Sequence, residues 1–150
     1  MGFTLSEDEA VAVTETVTAL LAVLPPGKDD PYRELAGSAE TGELAEEQLP
    51  ALERVCALAL ESGKARELGR AESERLLTAV YRRTPRGKAL ATETAEVNDV
   101  LARLAGRTLA SARITARMPG RYQLNLVVDG IDVAIAIEPE GLDVHHVQTG

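Results

Sequence analysis

The sequence predicts an α+β protein in which N-terminal helices, about four in number, pack on one face of a C-terminal four-stranded antiparallel β-meander. Two observations carry this prediction. Apolar residues recur at three- and four-residue spacing over about 1–106, and they alternate with polar residues over about 109–149. Because 150 residues fit the size of one domain, we expect a single domain over 1–150.

Four strands are predicted in the C-terminal third, because side chains of alternate residues point to opposite faces of a strand. Three turn signals separate them: Pro119-Gly120, Asp129-Gly130 and the segment 138–141. The apolar positions of the four strands form the face that we expect the helices to cover. They are Ala112, Ile114, Ala116, Met118, Tyr122, Leu124, Leu126, Val128, Ile131, Val133, Ile135, Ile137, Leu142, Val144 and His146.

The register follows from the rule that directly opposed residues share a face. A two-residue Asp129-Gly130 turn sets Val128 opposite Ile131, and a four-residue loop over 138–141 sets Ile137 opposite Leu142. A two-residue Pro119-Gly120 loop would bury Gln123 on the apolar face. We therefore predict a three-residue loop over 119–121, with Ile114 opposite Leu126.

Four helices are predicted ahead of the sheet. Ser6 and Glu9 form a capping box for a helix over about 6–24. The second helix begins near Leu49-Pro50 and ends at Gly63. The third begins at about Glu67 or Arg70 and ends at Arg83, and the fourth runs from Thr84-Pro85 to Gly106. Segment 28–47 lacks the helical period, and we expect a long surface connection with a short turn at 32–35.

The net charge of −8 argues against binding to nucleic acid or to an anionic membrane surface. No apolar stretch is long enough to span a bilayer, and the start of the chain lacks the basic and apolar regions of a secretory signal. With a single cysteine, no disulfide can form within the chain. We expect a cytoplasmic protein.

No residue pattern indicates catalysis, a cofactor or a metal, so we expect a protein that is not an enzyme. Cys56 lies in an apolar helical stripe, as buried cysteines commonly do. His145 and His146 are consecutive strand residues, which point to opposite faces and cannot chelate one ion in regular geometry. We expect His146 on the covered face, near Val133.

Segment 64–88 is basic, with 8 basic and 3 acidic residues, whereas 1–63 carries 3 basic and 13 acidic residues. Within it, residues 65–70 running into 73–77 resemble the helix-turn-helix of bacterial regulators, with Ala65 and Gly69 spaced for close packing at the turn. Arg75 stands where that pattern has an apolar core residue. The resemblance implies a DNA-associated regulator, which is one alternative function.

Protein contact is the other interpretation of the basic segment. Arg82, Arg83, Arg86 and Lys88 lie around the turn at Thr84-Pro85, where they could meet the acidic N-terminal third within the molecule or across a dimer.

The uncovered face of the sheet is predicted to carry small or apolar residues at Val127, Ala134, Ala136 and Val147. A fully solvated sheet surface would favour longer polar side chains, so this patch is a candidate contact surface. We therefore expect a protein that acts through contacts with another protein or with a second copy, as a homodimer. A small-ligand protein with a pocket between helices and sheet is the third alternative.

Overall fold

The computed structural model describes residues 2–149 and confirms the α+β class. Helical segments come first, and a four-stranded antiparallel sheet follows, with its strands paired in chain order. The elements are β1 (Phe3–Thr4), α1 (Glu7–Leu21), α2 (Asp30–Thr41), β2 (Glu43–Leu44), α3 (Leu49–Glu61), α4 (Lys64–Arg83), α5 (Pro85–Ala102), β3 (Leu109–Met118), β4 (Arg121–Val128), β5 (Ile131–Glu138) and β6 (Gly141–Thr149).

The chain divides into two compact units, Met1–Lys88 and Ala89–Gly150. The predicted single domain over 1–150 stays a prediction. The first unit holds α1 to α4 around an aliphatic core in which Val13, Leu35, Leu52 and Leu77 are fully buried. In the second unit, residues of α5 and the turn after it pack on the apolar face of the sheet, with Val97, Val133 and Ile135 buried at the centre.

The predicted cap of α1 is confirmed. The Glu9 backbone N–H donates to Ser6 Oγ at 3.3 Å, and the Ser6 backbone N–H donates to Glu9 Oε2 at 2.9 Å. Each bond satisfies an amide that a helix start leaves without a partner. The start of the fourth predicted helix is also confirmed, since α5 begins at Pro85 after Thr84.

The expectation of an irregular connection over 28–47 is wrong. This segment contains α2, which buries Tyr32, Leu35 and Ala39 on one face, and β2, which pairs with β1. The helix has few apolar residues, and Pro31 and Gly37 obscure its period, but proline is tolerated in the first helical turn.

The helix α4 begins at Lys64, before both predicted starts of the third helix, and it contains a break at the second of them, Arg70. Gly69 and Arg70 have non-helical backbone angles, and Arg70 has φ 61°, a left-handed value that is uncommon for a residue other than glycine. The first turn of α4 is therefore separate from the helix that continues to Arg83.

The predicted pairings at the second and third turns of the sheet are confirmed. Val128 lies opposite Ile131, and Ile137 lies opposite Leu142. Asp129 and Gly130 both have positive φ, as the predicted two-residue turn requires.

The predicted register between β3 and β4 is wrong by two residues. Ala112, Ile114 and Ala116 keep the predicted face, but Met118 does not. Ile114 lies opposite Leu124 rather than Leu126, and Met118 lies opposite Arg121 across a two-residue turn. A β-bulge between Ala116 and Met118 corrects the alternation, so that Gln123 stays off the apolar face.

A second bulge overturns the expected position of His146. The register shifts between Ala134 and Ile135, so His146 lies opposite Ala134 and Val147 lies opposite Val133. His146 is therefore on the face away from α5, and Val147 is on the face that we predicted for the histidine.

Candidate protein-contact surface

Strand β3 forms one edge of the sheet and is exposed along its whole length. It pairs with β4 on one side, and all ten of its residues are exposed. The outer side of an edge strand presents backbone N–H and C=O groups that can pair with another strand. This edge is thus a surface at which a further strand could be added.

The apolar face of β3 continues the face on which α5 packs, but α5 does not cover it. The core residues that pack around Val97 come from α5, the turn after it, β4, β5 and β6. Ile114 is 61% exposed and Leu109 57%, while Tyr122 on β4 is 40% exposed. We call this surface the β3 strip, which consists of Leu109, Ala112, Ile114, Ala116 and Tyr122.

The opposite face of β3 is polar and cationic. Arg113 lies opposite Asn125, and the Thr115 hydroxyl, opposite Gln123, donates to the Gln123 carbonyl at 3.4 Å. Arg113 and Arg117 make no ion pair with any residue between 2 and 149. By contrast, Arg121 on β4 pairs with Glu138 at 3.0 Å and with Glu140 at 2.5 Å.

The predicted contact residues on the central strands are less accessible than expected. Ala134 and Ala136 are 0% and 3% exposed, so the expectation that they lie open on the sheet surface is wrong. Val127 is partly exposed, and it lies next to Asp132 on β5 and Ser111 on β3. A role of Val127, Ala134 and Ala136 in binding a partner stays a prediction.

The predicted basic contact residues lie at the end of α4 and the start of α5. The Arg83 guanidinium donates to Glu9 Oε2 at 2.6 Å and to the Thr4 carbonyl at 2.8 Å, and it lies 4.8 Å from the centre of the Phe3 ring. Arg83 therefore meets the acidic N-terminal segment within the molecule. Arg82 and Lys88 are exposed and Arg86 is partly exposed, and partner binding by these residues stays a prediction.

The start of the basic segment is neutralised by glutamates. Lys64 pairs with Glu67 at 2.8 Å, Arg66 with Glu74 at 3.1 Å and Arg75 with Glu72 at 2.6 Å. The hydrogen bond from Arg75 lowers the pKa of the Glu72 carboxyl, so this pair stays ionised at neutral pH. Cations that are already paired contribute less to phosphate binding than free ones.

Cys56 is a buried free thiol, and His145 lies near a carboxylate. Burial, with a smaller contribution from the charge of Glu53, raises the pKa of the Cys56 thiol to about 12, which leaves it protonated at neutral pH. His145 Nε2 lies 3.9 Å from Asp143 Oδ2. Over residues 2–149, no three His, Cys, Asp or Glu side chains are grouped to hold a metal ion, and no helix is long and apolar enough to cross a membrane.

An apolar groove of about 230 Å³ lies in the first unit, between α1, α3 and the first turn of α4. Leu20, Val55 and Leu58 contribute to its wall, and Lys64 lies at its border. It lies between helices, whereas the sequence predicted a pocket between helices and sheet.

No family model matches the chain, and neither the curated proteins nor the solved structures include a match to it.

Proposed function

We propose that this protein is not an enzyme and acts through protein–protein contacts, as a homodimer. The β3 strip is the single observation that carries the proposal, because it combines an unpaired strand edge with exposed apolar side chains. Ile114 alone leaves 61% of its surface exposed to solvent, on the same face as the buried core of the sheet.

Physical considerations favour a contact at this edge. Burying apolar surface contributes about 25 cal/mol per Å², so the exposed parts of Ile114, Leu109 and Tyr122 would each stabilise a complex that covers them. An added strand would also satisfy the outer backbone groups of β3. Natural proteins protect long edge strands because such strands pair readily.

The DNA-associated alternative receives less support. In the basic segment 64–88, Lys64, Arg66 and Arg75 are paired with glutamates, and Arg83 is paired with Glu9. A mobility shift on duplex DNA that weakens steeply with salt would favour this alternative over protein contact.

Sedimentation velocity over roughly 1 to 300 µM tests the proposal, because a homodimer must dissociate on dilution below its Kd. We expect the sedimentation coefficient to rise with concentration. Ile114→Lys should shift the transition to higher concentration, because it places a charge on the β3 strip. Val23→Lys is the matched control, since Val23 is a 77% exposed apolar residue outside the sheet.

A sedimentation coefficient that stays at the monomer value throughout this range would contradict the homodimer. Equal effects of Ile114→Lys and Val23→Lys would contradict the assignment of the contact to the β3 strip.

A further inference from the structure

The exposed edge of β3 restricts the ways in which two copies of the chain could pair. The register derived from it rests on the proposed homodimer. A two-fold dimer joins the same surface of both copies, so two β3 strands would run antiparallel about one central residue. Directly opposed residues of two antiparallel strands point to the same face of the sheet. In a two-fold pair this holds only if one residue of the strand lies directly opposite its own copy, so the axis lies at a residue and not between two consecutive residues. The stretch 111–116, which pairs regularly with β4 between the two bulges of β3, offers Arg113, Ile114 and Thr115 as central candidates.

The two arginines of β3 distinguish these three registers. With Arg113 at the centre, it would lie directly opposite the partner's Arg113. With Thr115 at the centre, Arg113 would face the bulge that holds the partner's Arg117. Like charges that face each other across two strands are destabilising, and neither arginine has an ion pair with any other residue of 2–149 that would neutralise it.

The register centred on Ile114 avoids both conflicts. Arg113 then lies opposite the partner's Thr115, and Arg117 lies opposite the partner's Ser111. On the other face, Ile114 meets the partner's Ile114, and Ala112 meets the partner's Ala116. The exposed apolar residues of the two strands then form one continuous surface across the junction.

We propose that two copies of this chain pair antiparallel through β3 with Ile114 on the two-fold axis, so that the two four-stranded sheets become one continuous sheet. The occupant of the β3 edge is thus a second copy of the chain. The two arginines exclude the neighbouring registers, and the pairing covers Ile114, the most exposed large apolar residue of the strand.

Single cysteines at residues 112 to 116, introduced in a Cys56→Ala background, test the register. Two equivalent residues are separated along the strands by about 7 Å for each residue position by which they are offset from the axis. A disulfide needs Cβ atoms about 3.5–4.5 Å apart. Under mild oxidation, the Ile114→Cys variant should therefore form the disulfide-linked dimer fastest, with slower and symmetric rates at 113 and 115 and the slowest rates at 112 and 116.

Thr115→Glu, measured beside Thr115→Gln, is the second test, because it places a carboxylate opposite Arg113 of the partner subunit. Two such pairs form in each dimer, and we expect the dimerisation Kd to fall roughly two- to thirtyfold relative to Thr115→Gln. The added negative charge makes two chains of net charge −8 repel each other more, so a tighter dimer would be evidence for the local pair.

The outcomes separate this register from the homodimer itself. Fastest disulfide formation at 113 or 115, or a dimer that none of the five cysteines links, overturns the register and leaves the homodimer standing. A Kd of Thr115→Glu equal to or weaker than that of Thr115→Gln also overturns it. A chain that sediments as a monomer at all concentrations overturns both proposals.

Discussion

Gly87 in the first turn of α5 allows this helix to begin against the end of α4, and Gly87→Ala should destabilise the protein. A Cβ atom at Gly87 would lie 2.0 Å from the Tyr81 carbonyl oxygen and 2.8 Å from Arg82 Cα. Both are backbone atoms, so the first turn of α5 would have to move by at least about 1.4 Å to bring the shorter distance to an ordinary contact.

That movement would disturb the cap of α5. The Arg86 backbone N–H donates to Glu53 Oε1 at 2.8 Å, and the Gly87 backbone N–H donates to the buried Thr84 hydroxyl at 3.2 Å. Overpacking costs about 1–3 kcal/mol and a lost cap about 1 kcal/mol, whereas alanine gains about 1 kcal/mol over glycine in a helix. We therefore expect Gly87→Ala to lower the free energy of unfolding by about 1–3 kcal/mol.

Gly37→Ala is the matched control, because Gly37 is exposed in α2 and a Cβ there would meet no atom within 4 Å. This change should raise the free energy of unfolding by about 0.5–1 kcal/mol. Urea unfolding followed by circular dichroism at the helical band measures both variants. A Gly87→Ala protein as stable as Gly37→Ala would refute the close approach of α5 to α4.

Three further changes test other contacts. The pKa of the Cys56 thiol is raised from its ordinary value of 9.0 to about 12, so the thiol ionises less readily in the folded than in the unfolded state. The free energy of unfolding should therefore fall as pH rises through this interval, and it should fall less in Cys56→Ala. Chemical unfolding at several alkaline pH values measures both proteins. Arg83→Met removes the contacts of the Arg83 guanidinium with Glu9, Thr4 and Phe3. We therefore expect the free energy of unfolding to fall by about 1 kcal/mol and hydrogen exchange at the Leu5 amide to become faster. Arg82→Met is the exposed control, and equal exchange in both variants would contradict these contacts. Glu93 Oε2 accepts a hydrogen bond from the Leu142 backbone N–H at 3.1 Å. In thermal unfolding, Glu93→Ala should lower the free energy of unfolding by about 1 kcal/mol, and Glu96→Ala should leave it almost unchanged. Equal losses in the two variants would argue against this contact.

The predictions that the structure confirms depend on interactions between residues close together in the chain. The capping box at Ser6 and Glu9 joins residues three apart, and the turn at Asp129-Gly130 requires positive φ at two consecutive residues. Alternation of apolar and polar residues predicted the four strands and the apolar face, because each side chain direction follows from its neighbours along the strand.

Contacts between distant segments decided the rest. Pairing with β4 placed the bulge beside Met118, and pairing with β5 placed the bulge that moves His146 to the opposite face. The helix α2 was missed because burial of Tyr32, Leu35 and Ala39 against other helices stabilises a segment whose own pattern is weak.

The sequence by itself determined the four strands, the places of the turns between them and, away from the bulges, which residues share a face of the sheet. Only the tertiary structure decided which apolar residues stay exposed. The residues in the turn after α5 and in α5 itself pack on β4, β5 and β6, while Ile114 on β3 remains 61% exposed. The physical reason is that alternation specifies a face locally, whereas exposure depends on how much of that face one packed helix covers.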